Sequence, residues 1–290
     1  MHHFLTKTVL LVLALTTFCL AGPLSERIVF VAEHNGLKKL YICRPDGRDL
    51  ERFCREPGHQ LQPAYSPTLE RMFYVRPVER LHQICSVNSE GRDFRVEVSL
   101  RANALYPTVS PDGGKLIFCT DMWGPMELCV MDLESRKIDR ITYDGGINTR
   151  PRYSPDGNSV LFLSRRNGLT EVYELNLADK ALQQLTDSPF AHGAASWSPD
   201  GTRFVSTVAK PPKSKSVLIE KDLNSGTLRQ LLPDRFGLTS PRYSVDGTQI
   251  IFVDDEVLYT FDPSDTKAVL FPLRGQLIPE EVLWIPFPLP

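Results

Sequence analysis

The chain has 290 residues, 42% of them hydrophobic, with 23% charged and a formal net charge of −2. The length suits one large all-β domain, and no linker or composition shift divides it. A charge so near zero gives no electrostatic footprint for nucleic acid or an anionic membrane surface.

Residues 1–21 have the form of a secretory signal peptide. Lys7 supplies the charge, Val9 to Leu20 the apolar core, and Cys19-Leu20-Ala21 puts small residues, Cys19 and Ala21, at the −3 and −1 positions of a cleavage point after Ala21. The apolar stretch is shorter than the ~20 residues a membrane span needs. Phe18 before Cys19 does not suit a lipoprotein signal. Cleavage would leave residues 22–290 as a single periplasmic or secreted domain with no membrane span. Cys43, Cys54, Cys85, Cys119 and Cys129 would remain, an odd number that leaves at least one thiol unpaired. Cys119 and Cys129 fall on neighbouring strands of one hairpin, where a shift of one residue decides whether they face each other. Cys85 and Cys129 hold equivalent places in different repeats, as core-filling residues would.

Ile28–Val31, Leu40–Cys43 and Leu50–Phe53 are three predicted strands: the second, third and fourth of a four-stranded unit that lacks its first. Five copies of a short motif follow: Pro63-Ala-Tyr-Ser-Pro-Thr68, Pro107-Thr-Val-Ser-Pro-Asp-Gly113, Pro151-Arg-Tyr-Ser-Pro-Asp-Gly157, Ala195-Ser-Trp-Ser-Pro-Asp-Gly201 and Pro241-Arg-Tyr-Ser-Val-Asp-Gly247. Their steps are 44, 44, 44 and 46 residues. A period in the forties with strand-like repeats predicts a β-propeller.

The copy at Pro151 shows one unit. A short extended run ends in the Pro155-Asp-Gly157 turn. Val160–Leu163, an Asn167-Gly168 hairpin signal, Val172–Leu177 and Leu182–Thr186 then complete four antiparallel strands. The fourth copy has a longer hairpin, where Lys210–Ser216 is a basic loop expected to be a solvated tip. The fifth has a shorter hairpin. Near the end of the chain, Val282–Pro286 has the pattern of a first strand with no second. The two ends therefore combine into one blade, giving an all-β, six-bladed propeller with no free sheet edge.

The Ser-Pro-Asp-Gly turns and the Leu-Thr or Ile-Thr that trails a blade (Ile141-Thr142, Leu185-Thr186) resemble TolB-type, WD40-like (PD40) propeller repeats. The resemblance spans essentially the whole chain after the leader. It implies a periplasmic setting and a propeller that binds a protein, with a peptidoglycan-associated lipoprotein or similar envelope protein as first candidate. TolB-type proteins carry a smaller α/β domain before the propeller. Here the repeats begin almost directly after the leader. The same repeat occurs in propellers attached to peptidases and in polysaccharide lyases, so it specifies fold more than function.

Asp112, Asp156, Asp200 and Asp246 recur in every full turn. Repetition favours a turn-stabilising role over catalysis, which needs one site. Tyr65, Tyr153, Trp197, Tyr243 and Trp284 share one repeated place and are expected to pack between blades. The residues just before each first strand differ from blade to blade, and by the resemblance they enter at the channel mouth. They are His59, Gln60 and Gln62; Asn103 and Tyr106; Asn148 and Arg150; His192; Thr239 and Ser240; Glu280 and Glu281. Variation on a repeated scaffold is where specificity would be placed.

His59 and His192 belong to opposite blades and cannot share one ion with ligand distances of ~2.1 Å. No cofactor is expected. The chain has no Gly-x-Ser-x-Gly elbow and no Gly-rich phosphate loop. The expectation is a monomeric, non-catalytic binding platform. The alternative is a carbohydrate-active enzyme or sugar binder using the central channel.

Overall fold

The computed structural model describes residues 25–143, 145–210, 215–232, 234–264, 268–271 and 277–287. The expected signal peptide and residues 211–214 of the basic loop lie outside them. Six antiparallel sheets form six blades. Blade 1 comprises Leu61–Ser66, Arg71–Val78, Leu81–Asn88 and Arg95–Val98. Blade 2 comprises Ala104–Val109, Lys115–Thr120, Glu127–Asp132 and Ile138–Arg140. Blade 3 comprises Ile147–Tyr153, Ser159–Asn167, Leu169–Asn176 and Leu182–Gln184. Blade 4 comprises His192–Trp197, Arg203–Lys210, Lys215–Asp222 and Leu228–Gln230, with Arg235–Phe236 as an extra short partner of its third strand. Blade 5 comprises Thr239–Tyr243, Ile250–Asp254, Val257–Phe261 and Ala268–Leu270.

Blade 6 is closed by both ends of the described chain, as the unpaired predicted strands require. Ile278–Phe287 supplies its first strand, and Ser25–His34, Leu37–Cys43 and Glu51–Arg52 the rest. The seam runs antiparallel from Ser25 opposite Phe287 to Glu33 opposite Ile278.

Alternation along each strand divides the core into six clusters, one at each junction between blades. In blade 6, Val29 and Val31 pack toward blade 1, while Ile28 and Phe30 pack toward blade 5. The same alternation separates the two cysteines of the blade 2 hairpin. Leu128 lies opposite Cys119 and Phe118 opposite Cys129, so the sulfurs point to different junctions. All five thiols are free and buried. Burial pushes Cys43 and Cys129 up to about 12 and Cys85 up to about 11, so they are poor nucleophiles.

The repeated turns are self-contained. Ser154 and Ser244 each donate to their own Asp156 and Asp246 at 2.6 Å, and Ser198 donates to Asp200 at 2.5 Å. Each carboxylate also accepts a backbone N–H two residues on, from Asn158, Thr202 or Thr248. These bonds hold Asp156, Asp200 and Asp246 below the usual carboxylate range. The turn glycine has a second duty besides its positive φ. A Cβ on Gly157 would lie 3.2 Å from Pro111 Cδ, and one on Gly247 would lie 3.3 Å from Pro199 Cδ. The proline of one turn thus packs on the glycine of the next from blade 2 to blade 5. The repeated aromatics bridge blades as expected: Trp197 Nε1 donates to the Arg152 carbonyl of blade 3, and Tyr243 donates to Glu220 of blade 4 at 2.6 Å.

Candidate functional site

The first strand of each blade is innermost and touches the first strands of its two neighbours, so these six strands line the central channel. All six are bulged near the same place, with register shifts between Leu61 and Ala64, Leu105 and Thr108, Thr149 and Arg152, His192 and Ala195, and Thr239 and Arg242, and with Glu280 as the extra residue between Pro279 and Glu281. At four bulges the residue before the motif proline is left-handed: Gln62 (φ 51°), Tyr106 (53°), Arg150 (54°) and Ser240 (50°). Non-glycine residues avoid that region, and a following proline normally favours an extended conformation. Each costs about 1–3 kcal/mol, a cost that clusters at functional sites. The bulges re-aim these four side chains at one rim.

Around that rim the residues meet in sequence. Gln62 Oε1 accepts from the Tyr106 backbone N–H at 2.7 Å, and the Arg150 guanidinium lies 4.9 Å from the centre of the Tyr106 ring. Arg150 then opens a cavity of about 390 Å³, lined also by His192, Thr239, Ser240, Glu280 and Glu281. Lys38 pairs with Glu280 at 2.8 Å across one side. Gln62, Tyr106, Arg150, Ser240, Glu280 and Glu281 are therefore brought together.

The remaining predicted rim residues are committed to the scaffold. Gln60 is fully buried, accepting from the Leu40 N–H at 3.1 Å and donating to the Glu56 carbonyl at 3.0 Å. His59 Nδ1 accepts from the Lys38 N–H at 3.2 Å. Asn103 is held by Asp121 through its side chain and its backbone N–H. Asn148 is fully buried and joins blades 2 and 3, donating to Glu127 at 2.9 Å and accepting from Ser164 at 2.6 Å. Glu127 is buried in turn, accepting also from Arg140 and from the Thr142 hydroxyl. Glu171 and Thr186 repeat this latch in blade 3, which explains the trailing threonines. His192 borders the cavity but is only 4% exposed. Its Nδ1 lies 3.2 Å from Ser206 Oγ, while Nε2 stands 3.5 Å from Glu171, too long for a good hydrogen bond. Burial, aided by Lys221, lowers it to about 4, so the ring is neutral at pH 7.

Two channel residues escaped sequence reasoning. Arg152 and Arg242 lie two residues beyond Arg150 and Ser240 on the same inner strands. Their guanidinium groups act on each other, on Arg150 and on Glu281. Burial first, and then repulsion from Arg150, lowers Arg152 to about 10; burial and then Arg152 lower Arg242 from its ordinary value. Burial raises the Glu281 carboxyl against the pull of all three arginines. The signal was present in the sequence: the second motif residue is Ala64, Thr108 and Ser196 in three repeats but arginine in the other two. Among the described residues, no group of three or more His, Cys, Asp or Glu side chains could hold a metal ion. Among them, too, no helix is long and apolar enough to cross a membrane.

Fold and rim define a six-bladed propeller with a polar, blade-specific channel mouth. The family model for the TolB β-propeller domain matches residues 19–257, and the chain belongs to that family. Among solved structures it is similar to TolB from Acinetobacter baumannii, at 27% identity over 91% of this chain and 67% of that one, with a TM-score of 0.77. It also resembles an oligogalacturonate lyase from Vibrio parahaemolyticus, at 14% identity over 83% of this chain and 73% of that one, TM-score 0.60. A chain of a nidogen–laminin complex matches at 8% identity over 89% and 98%, TM-score 0.73. The last two are too distant in sequence to show more than the fold. No curated protein sequence matches the chain.

Proposed function

We propose that this chain is a non-catalytic, periplasmic or secreted propeller that docks a protein partner on its channel-mouth face. One observation carries the reading. The inner strands hold Gln62, Tyr106, Arg150 and Ser240 in strained bulges; Arg150 and Ser240 line an open cavity with Glu280 and Glu281, and Gln62 and Tyr106 extend the same rim through the contact of Tyr106 with Arg150. A fold that spends conformational energy on the residues that differ, at one rim, is built to present them. By the resemblance to TolB-type propellers, the first partner is a peptidoglycan-associated lipoprotein or comparable envelope protein. A mixed-sign polar rim suits a hydrogen-bonded interface of ~1,200–2,000 Å².

The test is cross-linked capture of the mature protein from its native cell envelope, with the R150E/E281R variant run beside it. One envelope protein enriched by wild type and lost with the folded variant supports the reading. Equal capture by both removes this face from it.

A further inference from the structure

From the rim inward, the channel gathers positive charge. Arg150, Arg152 and Arg242 converge on a space with one carboxylate, that of Glu281. The groups come from three inner strands: Arg150 and Arg152 from blade 3, Arg242 from blade 5, Glu281 from blade 6. Blades 3 and 6 stand opposite each other in the ring, so the cluster spans the channel.

None of the three arginines forms an ion pair within 4 Å among the described residues. Arg152 and Arg242 donate to their own neighbours' carbonyls, Pro151 and Pro241, at 2.9 and 2.8 Å. Arg150 rests on the Tyr106 ring. The Nε of Arg242 is buried without a hydrogen-bond partner among the described residues. Two buried charges elsewhere show the contrast. Arg71 is met by Asp93 at 2.7 Å, and Glu127 by Arg140 at 2.8 Å.

An excess of unpaired guanidinium groups in a narrow space between protein walls is costly alone and favourable with an anion present. Low-dielectric walls focus the field of like charges. The planar guanidinium fork matches carboxylate and other oxyanions with two parallel N–H···O bonds.

We propose that the central channel is an anion-binding site in which Arg150, Arg152 and Arg242 take a carboxylate-bearing group. The group enters from the cavity that Arg150, Ser240 and Glu281 line at the mouth. It is either a free small carboxylate or an acidic side chain on an extended peptide. The site stands whether or not a protein docks at the rim.

Titration calorimetry on the mature protein at low ionic strength tests this, using citrate, inorganic phosphate and a capped tri-glutamate peptide as probes. Citrate should bind saturably at one site and lose affinity as salt rises. R152Q/R242Q should weaken it by about tenfold or more, because two charge-assisted bidentate contacts are lost. E281Q, which removes the competing carboxylate, should tighten it severalfold. Tri-glutamate binding in competition with citrate assigns the site to a peptide side chain; citrate or phosphate binding alone assigns it to a free anion, and either supports the site. Absence of saturable binding by all three probes overturns it, as does R152Q/R242Q binding like wild type while keeping its thermal midpoint. No partner protein is present in the titration, so its failure leaves the docking reading of the rim untouched.

Discussion

The two ends of the inner strands obey opposite rules. At the turn end, Ser, Asp and Gly recur: each Ser donates to its own Asp, each Asp accepts an N–H two residues on, and the glycine meets the proline of the preceding turn. At the mouth end, the corresponding residues are Gln62, Tyr106, Arg150 and Ser240, all different and all in a backbone conformation that opposes their residue type. In the turns, sameness marks groups satisfied by their own blade. At the four left-handed positions, difference goes with contacts that cross to another blade, as from Gln62 to Tyr106 and from Arg150 to Tyr106.

The sharpest way to break that contrast lies in the scaffold residues that sit at the mouth end yet face inward. E127A removes the acceptor of Asn148, Thr142 and Arg140 at once. It should cost about 3–5 kcal/mol in urea unfolding, the range for stranding one side of a buried ion pair. A loss under about 1 kcal/mol would mean that the mouth end has no scaffold of its own.

Next in size is His192. Its folded value of about 4 lies below the ordinary 6.5, so the unfolded chain takes the proton first. Stability is full above pH ~6.5 and falls as pH drops toward 4, by up to about 3 kcal/mol. H192Q should remove that part of the pH dependence; parallel curves for the two proteins would show that His192 is not the group titrating.

The turn end should respond more mildly. D200A deletes the carboxylate that accepts from Ser198 and from Thr202, on an exposed turn. A loss of about 1 kcal/mol is expected, and because the other blades keep their turns, the change should leave the ring closed by circular dichroism. Smallest is R242Q. Removing one of three mutually repelling cations should shift the unfolding midpoint little, within about 0.5 kcal/mol, or raise it. A drop above 2 kcal/mol would make Arg242 part of the scaffold.

The blades were legible because their signals are local: alternation, a turn motif and a period. So was the closing blade, since three strands without a first and a first without a second have one solution. The rim was legible in part. Arg150, Ser240, Glu280 and Glu281 differ between blades and meet at the cavity. Gln60 and Asn148 differ too, but their partners come from remote segments, Leu40 and Glu127, which spacing alone does not reveal. Arg152 and Arg242 stayed hidden because they stand inside a motif otherwise explained by packing.

The seam of blade 6 carries a consequence for how the molecule is made. Ile278–Phe287 pairs with Ser25–His34, across a sequence separation larger than that of any other strand pair described. Bringing such distant segments together is entropically slow. During synthesis the strand that seals the ring emerges after all the others. Until then the Ser25–His34 edge stands open, with an apolar face and unanswered backbone groups, an invitation to any other unpaired strand. The nascent ring is therefore most exposed to mispairing just before its last strand arrives, and the finished ring is protected by the same contact.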